Sequence, residues 1–487
     1  MNASAAEPAI QSPVPRVFQG TILDRPLFKY VGFALLLSWH YVFWFVPSIF
    51  TSVNLMDDRV TYSWLTNLLA TAVFAFAFAL ILGRKRHLSS CMPIVVAAPL
   101  ALALGSFALA ALPFDYVPSF LWYTLVVALG ACESIFWILW GERFACEKAN
   151  FSIRHIGTTF GLTLLCSIAV AHFLPAWLTA PFASLLLVAS GALLFAACRN
   201  GSTTFPVLLP RNAAMGGVRN MLMVGLLTLF ATAACYFLVA IIPWEELPFA
   251  DHSFTVGILL GALFMLVIGG AAFLAKDKLN AFKIYPWLFV AVIFAYALFL
   301  ADHYFYAGAF DIGVGLSSIF EVLLIMYFGI LITKGYVTAS MGFACSCGFA
   351  RLGKCLGNTL AVSYESMPDV ALAYTPETAL AFMCLLAALI IPLVRQEFSI
   401  IALTTLAPTR SEIEEICAEA AKEFSLSSRE EDVLLLIARG YTTKAIADKL
   451  VLSPYTVNTH IRHIYDKMQI HKRSELINYL NMQRSDF

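Results

Sequence analysis

Residues 453–468 read SPYTVNTHIRHIYDKM. Ser453 is a natural helix N-cap, because its hydroxyl can accept from a backbone N–H of the first turn. Pro454 suits the first helical position, where a missing N–H costs nothing. Val457, Ile461, Ile464 and Met468 follow at offsets of four, seven and eleven. At 100° per residue these four fall within roughly 60° of arc. Thr459, Arg462 and Asp466 fall opposite, with Asn458 and His463 on the flanks. One face of this helix is made for a core, and the other is polar and carries cations.

The neighbouring sequence supplies the rest of a small domain. Ser427-Ser428-Arg429-Glu430 is a capping box before an apolar run in which Val433, Leu434 and Ile437 share a face. Gly440 stops that helix, and Thr442 caps the next, which places Ile446, Ala447 and Leu450 inward. A fourth short helix starts near Ser474 and carries Leu476, Ile477 and Leu480. Three short helices joined by tight turns, with a cationic face on the third, have helix-turn-helix geometry; the third helix is the one that enters the major groove.

The stretch LSSREEDVLLLIARGYTTKAIADKLVLSPYTVNTHIRHIYDKM resembles the LuxR-type DNA-binding domain over about 425–482. The resemblance rests on Arg429-Glu430, Gly440, Ile446-Ala447, Leu450, Ser453, Thr456-Val457, His460, Ile464 and Lys467; Met468 stands where the family usually has Leu. It implies binding as a homodimer to inverted repeats in double-stranded promoter DNA, with Leu476, Ile477 and Leu480 on the dimerising helix. It also implies base readout by Asn458, Thr459 and Arg462. Arg suits guanine and Asn suits adenine by bidentate geometry. Lys444, Ser453, Thr456, His460 and Lys467 are the expected phosphate contacts, which position without specifying. Glu430 is expected to orient a basic group rather than touch DNA.

Before this domain the composition is of another kind. The chain has 487 residues, 60% hydrophobic and 13% charged, whereas soluble domains run near half apolar and a quarter charged. Residues 425–487 hold nine Lys or Arg against seven Asp or Glu, so charge collects where hydrophobicity ends. Residues 1–26 read as a polar, disordered tail. Apolar runs then recur at 27–50, 62–82, 91–112, 117–140, 155–174 and 176–198. After the loop 199–217 six more follow, at 218–242, 252–275, 285–301, 308–332, 336–362 and 370–394. The first run is too long for a signal-peptide core and reads as a retained span. The expected fold is all-α: a polytopic bundle of about twelve spans over 27–394, a linker with an acidic helix at 395–424, and a four-helix domain at 425–487.

The loops set the expected orientation. The N-terminal tail, loops 83–90 and 141–154, the central loop and loop 276–284 are all rich in Lys and Arg. The intervening loops hold Arg59 and several acids, among them Asp57, Asp58, Glu245, Glu246 and Asp251. Lys and Arg concentrate on the cytoplasmic side, so an even number of spans puts both termini in the cytoplasm, at the inner cell membrane. The eleven cysteines sit mostly inside apolar runs, as small hydrophobes. Neither a disulfide framework, a metal site nor a cofactor is expected. No nucleophile–base spacing points to an enzyme.

The two halves carry an internal echo, ESIFWILWG at 133–141 and EVLLIMYFG at 321–329, in the fourth span of each. Six plus six spans with weak internal symmetry resemble the major facilitator superfamily. Gly-Arg-Lys-Arg at 83–86 resembles the end of that family's loop motif, although Leu80 and Phe76 stand where its acidic residue and leading glycine would fall. Glu133, Glu321, Arg351 and Lys354 lie inside spans. At about 2.5–3.5 kcal/mol each they would together cost roughly 10 kcal/mol unless paired or wet. They are the candidate ligand or coupling residues, and Glu321 and Arg351 lie near mid-depth on consecutive spans, within reach of pairing. Trp39, Trp44, Trp122, Trp137 and Trp140 either pack or line a pocket for a flat apolar ligand. The sequence thus points to a one-component transcription regulator that senses an unidentified small molecule in the bilayer. The alternative is a working secondary transporter with an appended regulatory tail.

Overall fold

A computed structural model describes residues 30–50, 58–82, 87–112, 116–146, 153–200, 205–206, 208, 211–243, 247, 253–274, 283–365, 367–404, 410–438, 441–473, 475–476 and 479–480. The N-terminal tail, the Gly-Arg-Lys-Arg loop and Gly440 lie outside the described residues. Among the described residues every extended element is a helix. The chain divides into two compact units, Met1–Thr404 and Thr405–Phe487.

The first unit is a bundle of twelve long helices: α1 (Val31–Phe45), α2 (Asp58–Leu82), α3 (Met92–Ala111), α4 (Ser119–Cys146), α5 (Ile153–Phe173), α6 (Ala176–Asn200), α7 (Arg211–Ile241), α8 (Ser253–Leu274), α9 (Tyr285–Ala301), α10 (Tyr306–Thr333), α11 (Ala339–Glu365) and α12 (Pro368–Thr404). Among the described residues, nine of these are long and apolar enough to cross a membrane; α1 and α9 are apolar but shorter. The remaining helix, α11, carries Arg351 and Lys354. The protein is a multi-pass membrane protein. Three helices run well past the expected limits of their spans: α7 begins at Arg211, inside the expected central loop. α4 continues through Gly141 to Cys146, and α12 continues through residues expected to be linker to Thr404.

The six-plus-six repeat is visible in the packing. In the first half α1 packs on α5, α2 on α4 and α3 on α6. In the second α7 packs on α11, α8 on α10 and α9 on α12, the same pairs shifted by six. The halves meet along α2–α11 and α5–α8, which the same shift interconverts. Lipid tails are as apolar as Leu, so such helices associate through close packing rather than hydrophobic drive. The α7–α11 pair shows the device: a Cβ at Gly353 or Gly357 would overlap the carbonyl oxygens of Leu229 and Ala233.

The second unit holds α13 (Arg410–Glu423), α14 (Ser428–Ala438), α15 (Thr443–Leu450) and α16 (Pro454–Met468). α13 is the acidic helix expected as a connector, and it packs on α14. Its Cys417 and Ala420 share a core with Val433, Leu434, Ile437, Ile446, Ala447, Val457, Ile464 and Met468.

Candidate functional site

The helix-turn-helix is assembled by local capping. Ser427 N–H donates to Glu430 Oε2 at 2.7 Å and Glu430 N–H to Ser427 Oγ at 3.4 Å, which closes the capping box. Ala445 N–H donates to Thr442 Oγ1 at 3.4 Å, and Thr456 N–H to Ser453 Oγ at 3.0 Å. Between α15 and α16 the chain turns at Val451, with φ 54° and ψ 48°. Burial of Val457, Ile464 and Met468 turns the opposite face of α16 outward, so Asn458, Thr459 and Arg462 are exposed side by side.

The expected phosphate contacts separate into groups. Ser453 is exposed, but its hydroxyl accepts the capping bond from Thr456. Thr456 and His460 are half-buried, and the Lys444 side chain lies outside the described residues. Lys467 is committed within the domain: its Nζ donates to Glu430 Oε2 at 2.7 Å and to the Ser425 carbonyl at 3.1 Å. His463 Nδ1 stands 3.6 Å from Glu430 Oε1. Burial pushes the Glu430 carboxyl up, but hydrogen bonds from Lys467 and Ser427 outweigh it and hold the group at about 2, below its ordinary 4.5. Leu476 and Leu480, expected on a dimerising face, are packed into this domain's own core. An apolar side chain finds its nearest cover inside a small domain first. Ile477 lies outside the described residues.

The four intramembrane ions meet at one point between the halves. Arg351, on α11, donates Nε and Nη2 to Glu133 Oε1 of α4 at 3.1 and 2.8 Å, and Nη1 to Glu321 Oε1 of α10. Lys354 Nζ donates to Glu321 Oε2 at 2.8 Å and to the Tyr41 hydroxyl at 3.0 Å; that hydroxyl donates to Glu321 Oε2 at 3.1 Å. Thr71 Oγ1 donates to Glu133 Oε2 at 3.4 Å, and the Asn67 amide, turned to satisfy both of its groups, reaches the same oxygen at 3.2 Å. His40 Nδ1 lies 3.1 Å from Glu133 Oε1, and Nε2 is buried with no hydrogen-bond partner among the described residues. The Arg351 guanidinium lies over Trp137 at 5.3 Å, and Lys354 over Tyr41 at 4.8 Å. The four ions are buried, sum to zero charge, and each has an opposite partner. Such networks persist only when satisfied this fully.

The sequence displayed the four ions because charges are conspicuous in apolar runs. It did not display His40, Tyr41, Asn67 and Thr71 as their partners; the available signal was polar residues in α1 and α2 at matching depth. A further polar knot joins α4 to the start of α11. The buried Glu142 carboxylate accepts from Leu88 N–H at 3.0 Å, from Ser89 N–H at 2.7 Å and from the Ser340 hydroxyl. His87 Nδ1 lies 3.3 Å from Ser340 Oγ, and its ring stacks on Phe205 at 3.5 Å. One residue earlier, Gly141 leaves the notch that Phe343 of α11 fills.

Comparison with known proteins agrees with both units. Residues 424–480 match the family described as "Bacterial regulatory proteins, luxR family". The chain is 39% identical over 70 residues to the oxygen regulatory protein NreC of Staphylococcus epidermidis (strain ATCC 35984), covering 14% of this chain and 32% of that one. It is 46% identical over 54 residues to NreC of Staphylococcus carnosus (strain TM300), covering 11% and 25%. The match thus spans a third or less of these relatives' length. Among solved structures, a bacterial homologue of the iron transporter ferroportin aligns with TM-score 0.50 and 14% identity over 75% of this chain and 98% of that one. The human organic anion transporter MFSD10 aligns with TM-score 0.47 and 13% identity over 76% and 99%. At such identity the likeness is one of fold alone. The chain joins a membrane bundle that is similar in fold to a solved bacterial transporter to a C-terminal segment, residues 424–480, of the LuxR helix-turn-helix type.

Proposed function

We propose that this protein is a one-component transcription regulator that senses a small molecule in its membrane domain and answers through promoter DNA. The observation that carries this reading is Arg351. It holds Glu133 of the first half and Glu321 of the second, in the same chain as a DNA reader. A ligand that binds one arrangement of the halves better than another shifts the population toward it, and only that differential affinity does work. A polar ligand entering the cluster takes over some of the bonds that Arg351 and Lys354 make with the carboxylates. That changes how the halves are tied. The basic loops support a reading with both termini in the cytoplasm and the protein in the inner cell membrane. Base readout falls to Asn458, Thr459 and Arg462. Lys444 and His460 meet phosphates, with Ser453 and Thr456 presenting the capped first turn. Binding is to inverted repeats as a homodimer.

The second reading is a working transporter with a regulatory tail, favoured by the bundle's fold. Transcription and flux separate the two. The test measures genome-wide DNA occupancy and transcription at occupied promoters for wild type, for Arg351→Met, and for a chain lacking residues 1–400, with cellular protein levels matched. Sensing requires Arg351→Met to lock output high or low while the same sites remain occupied. Equal output from all three chains under every growth condition would sink it. Solute uptake into vesicles that Glu321→Gln abolishes, with output unchanged, would establish the transporter instead.

A further inference from the structure

The outward face of α16 is not uniformly polar. Tyr455 is its second residue, and the side chain is 83% exposed. It projects opposite the buried stripe of Val457, Ile464 and Met468, on the line through Thr459, Arg462 and Asp466. A lone exposed apolar residue is ordinarily unremarkable. Its place here is specific, because the N-terminal residues of a recognition helix are the ones that meet base edges. Asp466 lies eleven residues on, about 16 Å along the axis. Its carboxylate repels phosphate, so the C-terminal part of this face is kept away from the backbone. The first two turns are left to enter the groove.

Thr459 extends the apolar character. Its hydroxyl donates to the Tyr455 carbonyl at 3.1 Å. The donor is therefore used within the helix, and the methyl group is left to face outward. Tyr455 and Thr459 stand one turn apart and form a short apolar strip, flanked by Asn458 and Arg462, which carry the hydrogen-bonding groups. In the major groove the apolar feature that distinguishes base pairs is the thymine 5-methyl group.

We propose that Tyr455 is a specificity-determining residue, whose ring packs on the 5-methyl group of a thymine in each half-site, with the Thr459 methyl against the adjacent pair. The inference rests on the DNA-binding reading of the domain and adds to it the base that the first turn selects.

The test uses the full chain in lipid nanodiscs. A binding site is selected from random duplex DNA with wild type, Tyr455→Ala and Tyr455→Phe. Each thymine of the wild-type site is then replaced singly by deoxyuridine, which removes only the methyl group. Wild type is expected to select a fixed thymine in each half-site and to lose about 4-fold in affinity at that position with deoxyuridine, the equivalent of one buried methyl group. Tyr455→Phe keeps both the preference and the loss. Tyr455→Ala binds more weakly, accepts any base there, and is indifferent to the methyl group. Three results overturn the proposal: wild-type affinity unchanged by deoxyuridine at every thymine, a selected site with no fixed thymine, or Tyr455→Ala weakening all sequences equally. The last would make Tyr455 a backbone contact. Failure of wild type to enrich any sequence would instead remove the DNA-binding reading itself, and this proposal with it.

Discussion

Val451 holds a left-handed backbone conformation, with φ 54° and ψ 48°, and its side chain is exposed. For a β-branched residue this places Cβ against its own carbonyl, at about 1–2 kcal/mol. No burial offsets that strain. Val451→Gly is therefore expected to stabilise the 405–487 unit by about 1 kcal/mol, read as a higher urea midpoint at unchanged slope. The gain is partly offset by the freer unfolded chain. Glu430 acts in the opposite sense. Its carboxyl sits at about 2 when folded and near 4.5 when free. The stability it contributes is present above pH 4.5 and is lost as pH falls towards 2. Lys467 is partly exposed, so screening reduces the effect to roughly 1–2 kcal/mol. Urea midpoints of the unit at pH 6 and pH 3 should converge in Glu430→Gln relative to wild type. Equal pH dependence in the two proteins would show that Glu430 is not the group whose titration carries it.

At the scale of helices, the ion network makes a sharp prediction because its charges balance in two separable pairs. Arg351→Met leaves Glu133 and half of Glu321 without their cation in a dry interior, a loss on the order of 3–5 kcal/mol. Glu133→Gln together with Arg351→Met removes one charge of each sign and leaves Glu321 paired with Lys354 and Tyr41. The double variant should therefore unfold in detergent much closer to wild type than Arg351→Met does. Equal midpoints for single and double variants would mean that Glu133 is not the group left stranded. The same contrast explains what could be read in advance. α16 shows its buried stripe because polar and apolar residues alternate with the helical period. α10 is buried all round and carries no such stripe, so its neighbours could not be deduced from its own pattern. Charge was the one property that stood out there, and it marked four residues of the cluster. The pairing of Glu321 with Arg351 on the next span was legible from their depth; the other partner helices became visible only in the packed bundle. Lys467 shows the same limit in the soluble domain. A cation on an outward face looks like a phosphate contact until the turn carrying Glu430, 37 residues away in sequence, folds against it.

For the whole membrane domain, the question is what ties one half to the other besides Arg351. Glu142 is the strongest candidate, and its position explains why it escaped notice: an acid just past a span reads as solvated loop, whereas α4 continues beneath it to Cys146. The stretch that resembles a transporter loop motif has Leu80 where that motif carries an acid. A carboxylate reaches the loop from α4 instead, accepting two backbone N–H groups at 3.0 and 2.7 Å while also holding Ser340 of the other half. Hydrogen bonds to a charged group contribute more than neutral ones, about 1.5–3 kcal/mol each. Removing the carboxylate leaves its donors to find water, and the short turn at Leu88–Ser90 has no other side-chain acceptor among the contacts described. In Glu142→Ala, amide exchange at 88–90 should accelerate by at least 10-fold, a change of about 1.4 kcal/mol in local opening. Exchange at the start of α11 should rise with it, while the Arg351 cluster stays protected. Acceleration confined to 88–90, with α11 unchanged, would show that Glu142 only caps a loop and does not clasp the halves.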